Sequence, residues 1–359
     1  MADRRGDEHA AVRDGEQLDR AALGAWLESS GLGALGEIRQ FPSGHSNLTY
    51  LIHVDDRELV LRRPPLGRRV ASGHDMAREY RVLSALADGF GKAPAPVALC
   101  EDETILGAPF YLMERVRGRI LRAGAAALDA GAMAAACRAL VETLAEIHSV
   151  DPEHPGLAEL GRPAGYVRRQ VEGWSRRDLA SRTEERPCMD QLAKWLAENA
   201  PLEAGTALIH NDFKYDNLVL DPEDSSRVLA VLDWEMATRG CPLMDLGTSL
   251  GYWFDADDPE ALRALPSGPT AAPGNLDRRG VAELYGRRYK ERTGRDLDHI
   301  VFYYAYGLYK IAVILQQIYQ RWHRGQTGDK RFAGFLVGAS ALADQGLRAI
   351  ERGRIDDLA

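Results

Sequence analysis

The chain has 359 residues, 45% of them hydrophobic, and a formal net charge of −8 at pH 7. That length exceeds one small core and suits two lobes, while the acidic balance excludes a general nucleic-acid or membrane-surface binder, because such partners are held by a positive field. The four cysteines, Cys100, Cys137, Cys188 and Cys241, are widely spaced with no CxxC pair, which argues against a zinc site or a disulfide framework and reads as reduced thiols in a cytoplasmic protein.

Residues 1–20 form a charged tail without the apolar segment of a signal peptide. Helical periodicity at 18–28 is followed by Gly31, Gly33 and Gly36, which spell GxGxxG. A dinucleotide fingerprint follows a strand and opens a helix; this one follows a helix and precedes a strand, so it reads as a helix cap and turn. Residues 37–41, 48–54 and 58–62 predict an antiparallel meander with Gly44, Ser46 and Asn47 in its first turn. Alternation from Val60 puts Arg62 on the face of that residue. A helix at 74–87 carries Glu79, a proline-rich stretch leads to an edge strand at 97–101, residues 104–109 read as a turn, and 109–118 read as a strand running into a linker through Glu114 and Val116. The amphipathic helix at 128–149 opens a helical half of the chain; His148 at its end is assigned no chemistry. The acidic run 255–260 reads as a solvated loop, and the apolar segment 301–319, interrupted by Lys310 and several tyrosines and glutamines, as a buried helix and not a membrane span.

The chemistry concentrates in residues 208–234, which carry His210, Asp212, Asn217 and Asp233. Leu208 and Ile209 deliver His210 and Asp212 to a loop, residues 217–220 read as a short strand, and after a turn at 221–226 a second strand at 228–232 ends in Asp233. A carboxylate at Asp212 can accept the proton of a substrate hydroxyl. The Asn217 carboxamide and the Asp233 carboxylate are hard oxygen ligands suited to magnesium on nucleotide phosphates. The alternative is a polar hairpin in which Asp212 and Asn217 only cap turns.

The strings HNDFKYDN and LDWE, with Trp234 and Glu235 in place of the rest of an Asp-Phe-Gly tripeptide, resemble the aminoglycoside phosphotransferase superfamily of kinase-like enzymes. With GRPAGYVRRQVEGW, LVLRRPPLG, AREYRVLSAL and the late helix, they are similar to bacterial phosphotransferases akin to the kinase-like domain fused ahead of acyl-CoA dehydrogenase in some eukaryotic proteins. The resemblance implies an α+β, two-lobed protein-kinase-like fold, with a small antiparallel β-sheet lobe at 21–116 that binds nucleotide and a larger, mainly helical lobe at 117–359 that is catalytic and binds the acceptor. It implies ATP and Mg2+ as cofactors, Gly44, Ser46 and Asn47 over the phosphates, and an Arg62 to Glu79 pair where kinases use lysine. It also implies adenine bonded by backbone near Glu114 and Val116, and Asp245 as support behind the catalytic loop. Arginine keeps the charge of the usual lysine with a different geometry, which leaves a nucleotide-binding pseudokinase as a rival.

The implied acceptor is a hydroxyacyl-CoA or hydroxy acid; aminoglycoside, choline and homoserine-type acceptors are alternatives. Residues 161–186 hold seven arginines, among them Arg168 and Arg169, against four acids. Such a segment suits an anionic acceptor better than a polycation, the other reading being a solvated helix face with internal ion pairs.

Overall fold

The structure, a computed structural model, describes residues 9–41, 47–65, 75–124, 128–202 and 205–358. In chain order the elements are α1 (Arg20–Ser29), β1 (Leu35–Gln40), β2 (Leu48–Val54), β3 (Arg57–Arg63), α2 (Met76–Ala87), β4 (Pro96–Cys100), α3 (Glu103–Leu106), β5 (Phe110–Glu114), α4 (Ala130–Ile147), α5 (Tyr166–Ser181) and α6 (Pro187–Glu198). They continue with β6 (Ala207–Ile209), β7 (Leu218–Leu220), β8 (Val228–Val231), β9 (Thr238–Gly240), α7 (Pro242–Gly251), α8 (Glu260–Arg263), α9 (Arg278–Thr293), α10 (Ile300–His323) and α11 (Phe335–Arg352). Two compact units result: residues 1–120 with 153–159 and 217–237, and residues 121–152 with 160–216 and 238–359.

In the first unit five antiparallel strands run in the order β1-β2-β3-β5-β4. Alternation along β3 sends Leu59 and Leu61 into a core with Tyr50, Ile52, Phe110, Leu112 and the α1 residues Leu23 and Leu27. Arg62, one position out of phase, therefore belongs to the opposite face and is nevertheless only 7% exposed. The α1 helix starts at Asp19, whose Oδ1 accepts the amides of Ala21 and Ala22 at 3.0 Å, and α2 starts at Asp75, whose Oδ1 accepts that of Arg78 at 2.9 Å. The first two glycines of the GxGxxG string lie in a turn: Gly31 and Gly33 have φ of 69° and 124°, and a Cβ on Gly33 would meet the Asp55 carboxylate. The β1 strand begins at Leu35, so Gly36 lies inside it.

The β7–β8 hairpin pairs Leu218 with Val231 and Val219 with Ala230. Its turn is held by local side-chain bonds, Asp221 Oδ1 accepting from the Glu223 amide at 2.9 Å and Asp224 Oδ1 from that of Ser226 at 3.0 Å. Trp234, fully buried, donates its indole N–H back to the Val231 carbonyl at 2.8 Å.

The second unit is built on α10, whose residues 302–313 are all buried. Among the described residues no helix is long and apolar enough to cross a membrane. Helices α7 and α10 cross at two glycines. A Cβ on Gly247 would lie 2.0 Å from the Tyr303 carbonyl, and one on Gly307 would lie 1.9 Å from the Gly247 carbonyl, so only glycine permits this approach.

Three sequence expectations change. The 104–109 turn contains the short helix α3, capped by Asp102 and ended by Gly107 at φ 77°. Asn217 closes a 3-10 turn, Tyr215–Asn217, and does not start the strand. The acidic run is not solvated throughout, because Asp255 and Asp258 are 8% and 3% exposed around the buried Arg278.

Candidate active site

The first unit gathers charge around one guanidinium. Arg62 bonds Glu79 Oε1 at 2.6 Å, Asp233 Oδ1 at 3.0 Å and Glu235 Oε2 at 3.3 Å. Burial works against the cation, but Glu79 and then Asp233 and Glu235 hold Arg62 firmly protonated, well above its ordinary value. Burial pushes Glu79 up, and Arg62 opposes this. Three carboxylates about one arginine leave an excess of negative charge in this cluster.

The hairpin explains how Asn217 and Asp233 come to one end of the same element. The Leu232 amide donates to the Asn217 carbonyl at 2.8 Å, closing the ladder immediately before Asp233. Asp233 adopts a left-handed backbone, φ 67°, and its side chain remains 35% exposed, whereas Asn217 is 8% exposed. Among the described residues no cluster of three or more His, Cys, Asp or Glu side chains forms a metal site. A carboxylate and a carboxamide nonetheless fit magnesium, which draws most of its remaining ligands from water and phosphate.

The other nucleotide-side expectations fare unevenly. Gly44 and Ser46 lie outside the described residues. Asn47 is 2% exposed and donates its side-chain amide to Glu235 Oε2 at 2.7 Å. The Glu114 side chain pairs with Arg57 at 2.5 Å and its backbone N–H is given to the Ala95 carbonyl at 2.9 Å. Val116 packs on a small apolar cluster of Ile120, Val219 and Ala230.

In the second unit Asp212 lies on the loop after β6. Lys214 Nζ bonds both of its carboxylate oxygens at 2.8 Å. Burial would raise the Asp212 carboxyl, but Lys214, with His210 and Lys310, holds it below the usual carboxylate range. Lys214 also stands 4.5 Å above the Tyr252 ring. Behind the loop, Asp245 is fully buried on α7; it accepts the His210 amide at 2.7 Å on Oδ2 and the Asn211 amide at 2.7 Å on Oδ1. His148 completes the support, with Nε2 at 3.1 Å from Asp245 and Nδ1 at 2.7 Å from the Tyr285 hydroxyl. These contacts keep Asp245 low in spite of burial, which works the other way.

Sequence reasoning passed over Lys214, His148 and Lys310 as functional residues. The first had a signal, a lysine two positions after the candidate base; the other two act across long sequence separations.

The arginine segment divides. Arg182 pairs with Asp178 at 2.6 Å and Asp190 at 2.8 Å, and the buried Arg186 bonds the Leu336 carbonyl at 2.9 Å and Ser340. Arg169 bonds the Ala164 and Arg162 carbonyls, and Arg177 stacks 4.7 Å over Trp174. Arg162, Arg168 and Arg176 are exposed.

Comparison with known proteins agrees with this geometry. Residues 37–284 match the family described as the phosphotransferase enzyme family. Acyl-CoA dehydrogenase family member 10 of Mus musculus is 38% identical over 81% of this chain, which spans 27% of that relative's length. A solved Ralstonia eutropha structure, assigned as an aminoglycoside phosphotransferase, superimposes with a TM-score of 0.79 at 33% identity, covering 94% of this chain and 99% of that one. At the level of fold alone, a thermostable mutant of an aminoglycoside phosphotransferase, solved as a ternary complex with AMP-PNP and hygromycin B, gives a TM-score of 0.57 at 18% identity, covering 91% of this chain and 98% of that one.

Proposed function

The chain belongs to the phosphotransferase enzyme family, with its kinase-like α+β fold; from that premise we propose that it is a small-molecule kinase that transfers the γ-phosphoryl group of ATP, with magnesium, to a hydroxyl of an anionic small molecule. The observation that carries the reading is the Asp212 carboxylate, kept ionised by Lys214 on a loop whose backbone is fixed by Asp245. AMP-PNP in the hygromycin complex supports a nucleotide donor.

Asp212 orients the acceptor hydroxyl and takes its proton as the phosphoryl group moves. A carboxyl held low is a weak base, so orientation is its larger share. Lys214 adds positive charge beside the acceptor oxygen. Asn217 and Asp233 would hold magnesium, which when bound neutralises phosphate charge. Arg62, oriented by Glu79, supplies a fixed guanidinium in place of the usual lysine, and Glu235, anchored by Asn47, keeps that guanidinium facing Asp233. The formed Arg62 to Glu79 pair supports an active clamp over a pseudokinase. Backbone near Glu114 and Val116 would receive adenine. The functional division proposed is nucleotide binding at 21–116 and catalysis with acceptor binding at 117–359, to which Asp212, Asn217 and Asp233 belong.

The anionic acceptor is supported by the exposed Arg162, Arg168 and Arg176 on and before α5, a helix whose Tyr166 hydroxyl reaches the Asn211 side chain at 3.4 Å, next to Asp212. The acyl-CoA dehydrogenase name of the mouse relative supports a hydroxyacyl-CoA or hydroxy acid. Labelled-ATP transfer onto a panel of hydroxyacyl-CoAs, free hydroxy acids, aminoglycosides and amino alcohols tests this. The expected outcome is magnesium-dependent transfer to the anionic members; preferred transfer to a cationic acceptor overturns the acceptor class.

A further inference from the structure

We propose that Lys310 is a positioning residue for phosphoryl transfer: its ammonium holds the carbonyl of Asn211 and thereby fixes the aim of the neighbouring Asp212 carboxylate. The inference rests on the reading of Asp212 given above and adds a residue to it.

Asn211 needs holding. Its backbone is left-handed, φ 68°, a conformation that asparagine adopts more readily than most non-glycine residues but that its surroundings must still select. Three groups do so from three directions. Asp245 Oδ1 accepts its amide at 2.7 Å, the Tyr166 hydroxyl donates to its side-chain oxygen at 3.4 Å, and Lys310 Nζ donates to its carbonyl at 2.8 Å. The first two come from α7 and α5, and the third from α10. The carbonyl belongs to the peptide that leads into Asp212, so the Lys310 bond acts on the peptide nearest the candidate base.

Lys310 is an expensive way to make that bond. It is 3% exposed, its other hydrogen-bond partner is the Thr248 hydroxyl at 3.5 Å, and the Trp174 ring stands 5.8 Å from Nζ. Among the described residues it forms no ion pair, so a full charge is buried against neutral acceptors. Burial lowers its pKa to about 8; Asp245 and Asp212 pull it up again, and Lys214 and Arg177 push it down. Stability alone favours an apolar chain at this position, as at its buried neighbours Ile311, Ala312 and Val313. The glycine-to-glycine crossing of α7 and α10 is what brings the lysine to this carbonyl, since it lies three residues after Gly307.

The test compares Lys310→Met, which keeps bulk and removes the donor, with Lys310→Arg, which keeps a charged donor, in magnesium-dependent ATP turnover. Lys310→Met should lower kcat roughly 10- to 100-fold, the scale of a small misplacement of a catalytic group. Its KM for magnesium-ATP should stay within about twofold, and its melting temperature should not fall, because removing a buried unpaired cation does not weaken the core. Lys310→Arg should recover a large part of the lost kcat. Unchanged turnover in Lys310→Met overturns the proposal, as does a loss in which KM and melting temperature worsen together, or an arginine variant no better than methionine. Asp212→Asn in the same assay separates the two readings. If it is inactive while Lys310→Met is not, only the positioning role fails; if it keeps turnover, the role of Asp212 fails and the proposal with it.

Discussion

Arg62 meets Glu79, Asp233 and Glu235 through one guanidinium, and of these three carboxylates Asp233 is the most exposed. If Asp233 ligates magnesium, Asp233→Ala should weaken ATP binding in magnesium and scarcely alter it in EDTA. Calorimetric titration under the two conditions decides this; equal losses would reduce Asp233 to a partner of Arg62. At this scale the Arg62–Glu79 pair was legible, because period-two alternation favoured Arg62 and the kinase resemblance implied Glu79 as its partner. Asp212, Asn217 and Asp233 were legible from type and spacing within 22 residues of sequence. The partner of Asn47 was not, since Glu235 lies 188 positions away and no local pattern announces it. Lys310, 99 positions from Asn211, was read only as a polar interruption in a buried helix.

Elements follow the sequence closely wherever one face is apolar. Strand β2 and the start of β8 fall where the sequence reading puts them, and α10 runs Ile300–His323 around the expected 301–319. Departures arise where polar residues make local bonds, as at Asp102 before α3 and in the 3-10 turn through Asn217. The largest departure is the acidic run. Arg278 of α9 reaches Asp258 and Asp255, the latter at 3.2 Å, and ties the Ile355 carbonyl at 2.7 Å to the same cluster. Burial pushes the Asp255 carboxyl up to about 7, against the pull of Arg278 and with the help of Asp258. A raised folded pKa means that the folded state holds the proton more tightly than the unfolded chain does. The contribution of Asp255 to stability is therefore greatest at low pH and declines as pH rises from the ordinary carboxylate range through about 7. Asp255→Asn should flatten the fall in melting temperature between about pH 5 and pH 8. Thermal melts of both proteins across that range check it, and parallel curves would contradict it.

For the whole molecule, an acidic chain that receives the proposed nucleotide and anionic acceptor needs cations that act locally. Arg62 and Lys214 are buried or only about a quarter exposed, while Arg162, Arg168 and Arg176 stand on the surface. The family and the two-unit, α+β character were legible because the catalytic string is compact in sequence. The fate of the arginine segment was not, because only three-dimensional structure shows Arg182 paired with Asp178 and Arg186 bonded to backbone. The central claim is that Asp212 carries phosphoryl transfer, and its most direct test is labelled γ-phosphoryl transfer from magnesium-ATP by the native protein and by Asp212→Asn, with nucleotide affinity measured in parallel. The account predicts a loss of roughly 10²- to 10⁴-fold in transfer with ATP binding nearly intact; near-full turnover in Asp212→Asn would contradict it.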